Sequence, residues 1–127
     1  MAEKKKTVLV LEDDELIAEA LKEGLTRAGI KVINAVDGEA GLAMAYKYHP
    51  DLIILDLMMP KKDGHEVLAE LRADKWGHDV PVTVLTNAND NIDIFLATKH
   101  INTNYAVKSS MTLADIIKTI KTRLAAL

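Results

Sequence analysis

Glu12-Asp13-Asp14, Asp56, Thr86 and Lys108 are far apart in the sequence, yet each follows or closes an apolar, strand-like run. Carboxylates gathered into one hollow repel one another and need a cation. Oxygen-only ligands suit Mg²⁺, which keeps several waters and takes one or two carboxylates plus phosphate. A carboxylate beside such a metal can attack phosphorus and become an acyl phosphate. The transferring group carries charge on its equatorial oxygens, so it needs positive groups and donors around it. Mg²⁺, the Lys108 ammonium and the Thr86 hydroxyl would supply them. Asp56 is followed by Leu57-Met58-Met59-Pro60 and then Asp63-Gly64. That segment must leave the strand sharply and present a backbone carbonyl, that of Met58, to the metal.

Such a hollow requires the strand ends to meet, and the pattern of the chain provides for this. Thr7 to Leu11 is a continuous apolar, β-branched run, as for a strand buried on both faces. Leu16, Ile17, Ala20, Leu21, Gly24 and Leu25 follow at helical spacing, and Gly29 stops that helix. Val32 to Val36 reads as a second strand. Asp37-Gly38 turns into a helix with Ala40, Leu42, Ala43, Met44 and Ala45, ending before Pro50. Leu52 to Asp56 is the third strand. Asp63 with Glu66 has the spacing of a capping box, opening a helix with Val67, Leu68 and Leu71. Pro81 to Thr86 is the fourth strand. A helix over Asn91 to Lys99 carries Ile92, Phe95 and Leu96. Tyr105 to Lys108 is the short fifth strand. Thr112 with Asp115 caps a last helix whose stripe is Leu113, Ile116, Ile117, Ile120 and Leu124. Strand–helix alternation of this kind implies an α/β fold, a doubly wound five-stranded parallel sheet with helices on both faces. Ligands in such sheets sit beyond the carboxyl ends of the strands, where the six polar residues fall.

Composition narrows the function. The 127 residues suit one domain over 1–127, with residues 1–5 expected as a flexible tail. A net charge of −3 argues against a dedicated nucleic-acid binder. The absence of cysteine excludes disulfides, thiol catalysis and cysteine metal sites. No signal peptide fits the N-terminus, and the apolar stretch from Leu52 to Met59 is interrupted by Asp56 and too short for a bilayer. The expectation is a cytoplasmic protein without a membrane partner.

Taken together, Val10-Leu11-Glu12-Asp13-Asp14, Leu55-Asp56-Leu57-Met58-Met59-Pro60 with Asp63-Gly64, Leu85-Thr86 and Tyr105-Ala106-Val107-Lys108 resemble the receiver domain of two-component response regulators, close in size to its single-domain chemotaxis type. These motifs span nearly the whole chain in the family order. The resemblance implies a flavodoxin-like sheet of order 2-1-3-4-5, the order that chemotaxis receivers exemplify. It implies Asp56 as the phosphorylated residue, Glu12 and Asp13 as the acidic pair that holds Mg²⁺, Thr86 and Lys108 on the phosphoryl oxygens, and Tyr105 as an aromatic switch. It further implies a histidine kinase or phosphotransfer protein as donor. The output is a downstream protein target, read through the face made by the fourth helix, fifth strand and fifth helix. The chain would catalyse its own phosphorylation and dephosphorylation without being an enzyme in the usual sense.

Departures from the family pattern fall around the switch. Ser109 follows the lysine where the family has proline, Asn87 stands where it has a small residue, and the glycine before the fifth strand is missing from His100 to Asn104. Asn102 or Asn104 could take the left-handed conformation instead. Other functions fit less well. Aspartate-nucleophile phosphatases place a second Asp two residues after the first, where this chain has Met58. No phosphate-binding GxxxxGK[ST] or GxGxxG loop is present. A flavodoxin-like cofactor binder would want a phosphate cradle after the first strand, not three carboxylates. A degenerate receiver serving only as a binding module would have lost the aspartate, the acidic pair or the lysine. His49, His65, His78 and His100 lack metal-ligand spacing and read as surface residues. Trp76 reads as a loop residue without a role, and Met58-Met59 as packing or lining the site.

Overall fold

The computed structural model describes residues 5–59, 61–86, 102–108 and 110–127, with only the backbone of Thr86. The helix expected over Asn91 to Lys99 lies outside the described residues, as do Pro60, Asn87, His100 and Ser109 and the Thr86 side chain.

Strands β1 (Thr7–Leu11), β2 (Lys31–Ala35), β3 (Leu52–Asp56), β4 (Val82–Thr86) and β5 (Thr103–Val107) form one parallel sheet in the order β2-β1-β3-β4-β5. Helices α1 (Glu15–Arg27), α2 (Gly38–Tyr48), α3 (Gly64–Ala73) and α4 (Leu113–Ala125) complete the described elements. The last of them is the fifth helix of the sequence-based expectation. Successive strand side chains point to opposite faces, and both faces are covered. Leu9, Leu11, Ile53, Leu55, Val82 and Val84 pack with Leu42, Val67, Leu68 and Leu71 of α2 and α3. Val8, Val10, Leu52, Ile54 and Leu85 pack with Leu21 and Leu25 of α1 and Ile116, Ile120 and Leu124 of α4. Burial on both sides is why β1 and β3 read as unbroken apolar runs. No helix among the described residues is long and apolar enough to cross a membrane.

Several expectations are corrected. Strand β2 runs from Lys31 to Ala35, because its register against β1 pairs Thr7 with Lys31 and Leu11 with Ala35. Val36 is left exposed before Asp37, the N-cap of α2. Leu16 is not part of the α1 stripe. The buried positions are Ala18, Leu21 and Leu25, and Leu16 stands on the opposite side of the helix, 83% exposed. Trp76 does lie in the turn after α3, and it packs against the core on the α2/α3 side, edge-on to Tyr46 at 6.5 Å and stacked on the exposed His49 ring at 4.3 Å. Asp63 accepts from the Glu66 amide, whereas the full reciprocal box is found at Thr112 and Asp115.

The glycine missing before β5 is replaced by Asn102, which adopts φ 52. Its Nδ2 donates to the Asp79 carbonyl at 2.7 Å. Its own carbonyl accepts from the Val82 amide and from the guanidiniums of both Arg72 and Arg123. Arg72 belongs to α3 and Arg123 to α4, so the two helical layers meet at the chain entering β5. Loss of the side chain alone should cost little, while a residue intolerant of the left-handed region should cost more. Asn102→Ala is therefore expected to be about 1 kcal/mol less stable than Asn102→Gly. Urea unfolding of the two variants measures the difference, and equal midpoints would remove the conformational argument.

Candidate functional site

At the carboxyl end of β1 three consecutive acids take three different positions. Asp14 caps α1, accepting from the amides of Leu16 at 3.0 Å and Ile17 at 3.3 Å. The helix start therefore uses one acid of the three. Glu12 is fully buried, and Asp13 is exposed at the rim. Strand β3 lies beside β1 and ends on Asp56, which is 5% exposed. The order of the sheet thus sets the two acidic strand ends side by side. Carboxylate oxygens of Glu12, Asp13 and Asp56 lie within 4.8 Å of one another.

Lys108 follows β5, separated from β3 by β4. Its long side chain crosses the end of β4. The ammonium donates to Asp56 Oδ2 at 3.1 Å and lies 2.7 Å from Glu12 Oε1. The second contact is an ion pair without hydrogen-bond alignment. Both Glu12 oxygens are buried and lack a hydrogen-bond partner among the described residues. Asp56 Oδ1 accepts from the Met58 amide at 3.0 Å. Both oxygens of Asp56 are therefore held, one by a backbone donor and the other by an ammonium.

Charges so close are balanced unevenly. Burial, and then the neighbouring Asp56 carboxylate, push Glu12 up from the ordinary 4.5 to about 8, with Lys108 opposing both. Burial works against the Lys108 ammonium, but its contacts with Glu12 and Asp56 outweigh that and raise it. An all-oxygen cluster in which buried Glu12 Oε2 has no partner among the described residues, and Oε1 meets only the Lys108 ammonium, fits a hard divalent cation, which would take the negative charge that Lys108 alone leaves unbalanced.

The structure brings together four of the residues singled out from sequence, Glu12, Asp13, Asp56 and Lys108. Thr86 ends β4, its backbone paired with Val107, and its hydroxyl lies outside the described residues. Tyr105 sits on the edge strand three residues before Lys108, 44% exposed. Met58 is 68% exposed while Met59 packs into the core, so the pair divides between rim and interior. The backbone contact seen at Met58 is its N–H on Asp56 Oδ1, a contact that sequence reasoning did not single out. The signal for it was present, since aspartate commonly accepts from the amide two residues on.

The raised Glu12 pKa has a consequence for stability. The folded state binds this proton more tightly than the unfolded chain does. The stability it contributes is full below about 4.5 and is lost as pH rises through about 8. With a chelator present, the Tm of the wild-type protein should fall more steeply between pH 5 and 8 than that of Glu12→Gln, which stays neutral. Parallel Tm profiles would contradict this account of Glu12.

Comparison with known proteins agrees with this geometry. The family model described as the response regulator receiver domain matches residues 8–121. The transcriptional regulatory protein AfsQ1 of Streptomyces coelicolor is 39% identical over 102 residues, covering 80% of this chain. The chain spans only 44% of that relative's length. A putative response regulator from Chloroflexus aurantiacus superimposes with a TM-score of 0.86 at 29% identity, covering 96% of this chain and 99% of the other. The phosphorylated cyanobacterial phytochrome response regulator RcpA does so with a TM-score of 0.77 at 34% identity, covering 94% and 91%. With its sheet order, its acidic strand ends and these matches agreeing, the chain belongs to the response regulator receiver domain family of two-component signalling.

Proposed function

We propose that Asp56 is the phosphoacceptor and that Glu12, Asp13, Asp56 and the Met58 carbonyl hold Mg²⁺ beside it. The observation that carries this reading is the Lys108 ammonium bridging Asp56 and Glu12 within the carboxylate cluster. Receiver domains are phosphoacceptors that take their phosphoryl group from histidine kinases or other phosphodonors. The phosphorylated state named for RcpA supports a phosphoacceptor role here. The metal, when bound, supplies positive charge to the phosphoryl oxygens and offsets the carboxylates.

The chain's own residues do the rest. The Met58 amide fixes the Asp56 rotamer, so that the carboxylate meets the donor in one orientation. An Asp56 oxygen forms a bond to phosphorus as the bond from phosphorus to the donor breaks, and the donor leaves with that electron pair. Lys108 neutralises Asp56 beforehand and the phosphoryl oxygens afterwards. Thr86, ending the strand between β3 and β5, would give its hydroxyl to the same oxygens. Movement of Thr86 would leave room for Tyr105 and alter the surface read by a downstream protein. The net charge of −3 supports protein, not nucleic acid, as the direct partner. Retention of Asp56, the acidic pair and Lys108 in one cluster speaks against a degenerate, binding-only receiver.

Incubation with acetyl phosphate and Mg²⁺, followed by intact mass measurement, tests this. The wild-type protein should gain one phosphoryl group, and chelation should prevent the gain. Asp56→Asn should gain none, because an amide is a poor nucleophile. Asp13→Asn should require more Mg²⁺ and label about ten times more slowly, the scale of a lost charge at a metal site. Labelling of Asp56→Asn at the wild-type rate would refute the assignment.

A further inference from the structure

We propose that Gly38, at the start of α2, is a positioning residue for the segment that follows the phosphoacceptor. The inference rests on the reading of Asp56 given above. The loop between β3 and α3 carries Met58, whose N–H holds Asp56 Oδ1. Part of the loop's support comes from a different element. Gly38 is buried, and a Cβ there would lie 1.8 Å from the Lys62 carbonyl oxygen and 2.9 Å from Val67 Cγ2. The loop backbone therefore rests directly on the first residue of α2, at a distance that only glycine allows.

Neighbouring contacts sit at the same approach, where the turn of the chain, and not the exposed Lys61 ammonium, holds the loop. Asp37 caps α2 through the Ala40 amide at 2.8 Å, and its other oxygen lies 3.8 Å from Lys61 Nζ. Lys61 adopts φ 67, so the chain turns through the left-handed region next to the contact. Lys62 Nζ donates to Glu70 of α3 at 2.5 Å. The loop closes where the Gly64 amide donates to the Leu57 carbonyl at 3.0 Å. Lys61 and Lys62 thus sit between the α2 N-terminus and α3, and the Met58 amide at the start of the loop lies on Asp56. Pushing Lys62 away from α2 displaces it from that side, and the Gly64–Leu57 hydrogen bond passes the shift to the Met58 amide beside Leu57.

Two variants move the loop by separate routes. Gly38→Ala pushes on the Lys62 carbonyl, and Lys61→Val places a β-branched residue at a positive φ. Both are expected to shift the Met58 amide resonance of the full chain without metal. Both are also expected to slow labelling by acetyl phosphate roughly ten- to a hundredfold, the scale that about an ångström of misplacement costs. Lys61→Gly also removes the ammonium but tolerates the turn, so the Met58 resonance and the labelling rate should stay at wild type. Gly24→Ala crowds Ile117 Cδ1 at 2.2 Å, a side chain on α4, and should lower Tm without moving the Met58 amide. Should Gly38→Ala fail to fold, the contrast between Lys61→Val and Lys61→Gly carries the test. An unmoved Met58 amide in the Gly38→Ala and Lys61→Val proteins overturns the proposal, as does equal slowing of the two Lys61 variants. Failure of the wild-type protein to label would instead refute the phosphoacceptor reading, and the metal-free resonances would still decide the role of Gly38.

Discussion

Lys108 carries its charge into a hollow where Glu12 is fully buried and Asp56 nearly so, with Asp13 at the rim. Two ion pairs tie three separate strands at one point. A buried carboxylate without a partner is costly, so the ends of β1, β3 and β5 are bound to one another through this cation. One positive charge does not balance three carboxylates, and burial, followed by the neighbouring Asp56, raises the pKa of Glu12. The site is held together with room for a further cation, the place the proposed Mg²⁺ would take.

The sheet makes this constraint possible. Its order sets β1 beside β3, so their terminal acids are neighbours without any long loop. Strand β4 stands between β3 and β5, and a lysine is long enough to reach Asp56 across it. The two core layers fix the strands that present these ends, because the inner strands are buried on both sides. At the opposite end of the sheet, Asn102 receives Arg72 and Arg123 from different layers and anchors the entry to β5. The strand that carries Tyr105 and leads into Lys108 is thereby secured before it reaches the site.

Much of this was legible in the residues for a simple reason. Doubly buried strands must be apolar, so a carboxylate, threonine or lysine at the end of such a run stands out. Asp56, Glu12, Asp13 and Lys108 could be read that way, and the left-handed residue before β5 was narrowed to Asn102 or Asn104. Contacts made by backbone or by long side chains were less visible. Arg72 and Arg123 look like ordinary helix-surface residues in sequence, and their carbonyl acceptors leave no pattern. Leu16 fits a helical stripe until the phase of α1 is set by Ala18, Leu21 and Leu25. The stack of Trp76 on His49 joins two loops that no local periodicity connects. Gly38 reads as a turn residue, and its contact with Lys62 depends on how α2 and α3 pack.

The claim that Asp56 is the residue phosphorylated can be read chemically, without a variant. Borohydride reduces an aspartyl phosphate to homoserine, marking the position that carried the group. After reaction of the wild-type protein with acetyl phosphate and Mg²⁺, reduction and peptide sequencing by mass spectrometry should find homoserine at position 56 and at no other aspartate. Homoserine at position 13, or a stable phosphoryl group on another residue with position 56 unchanged, would contradict the account.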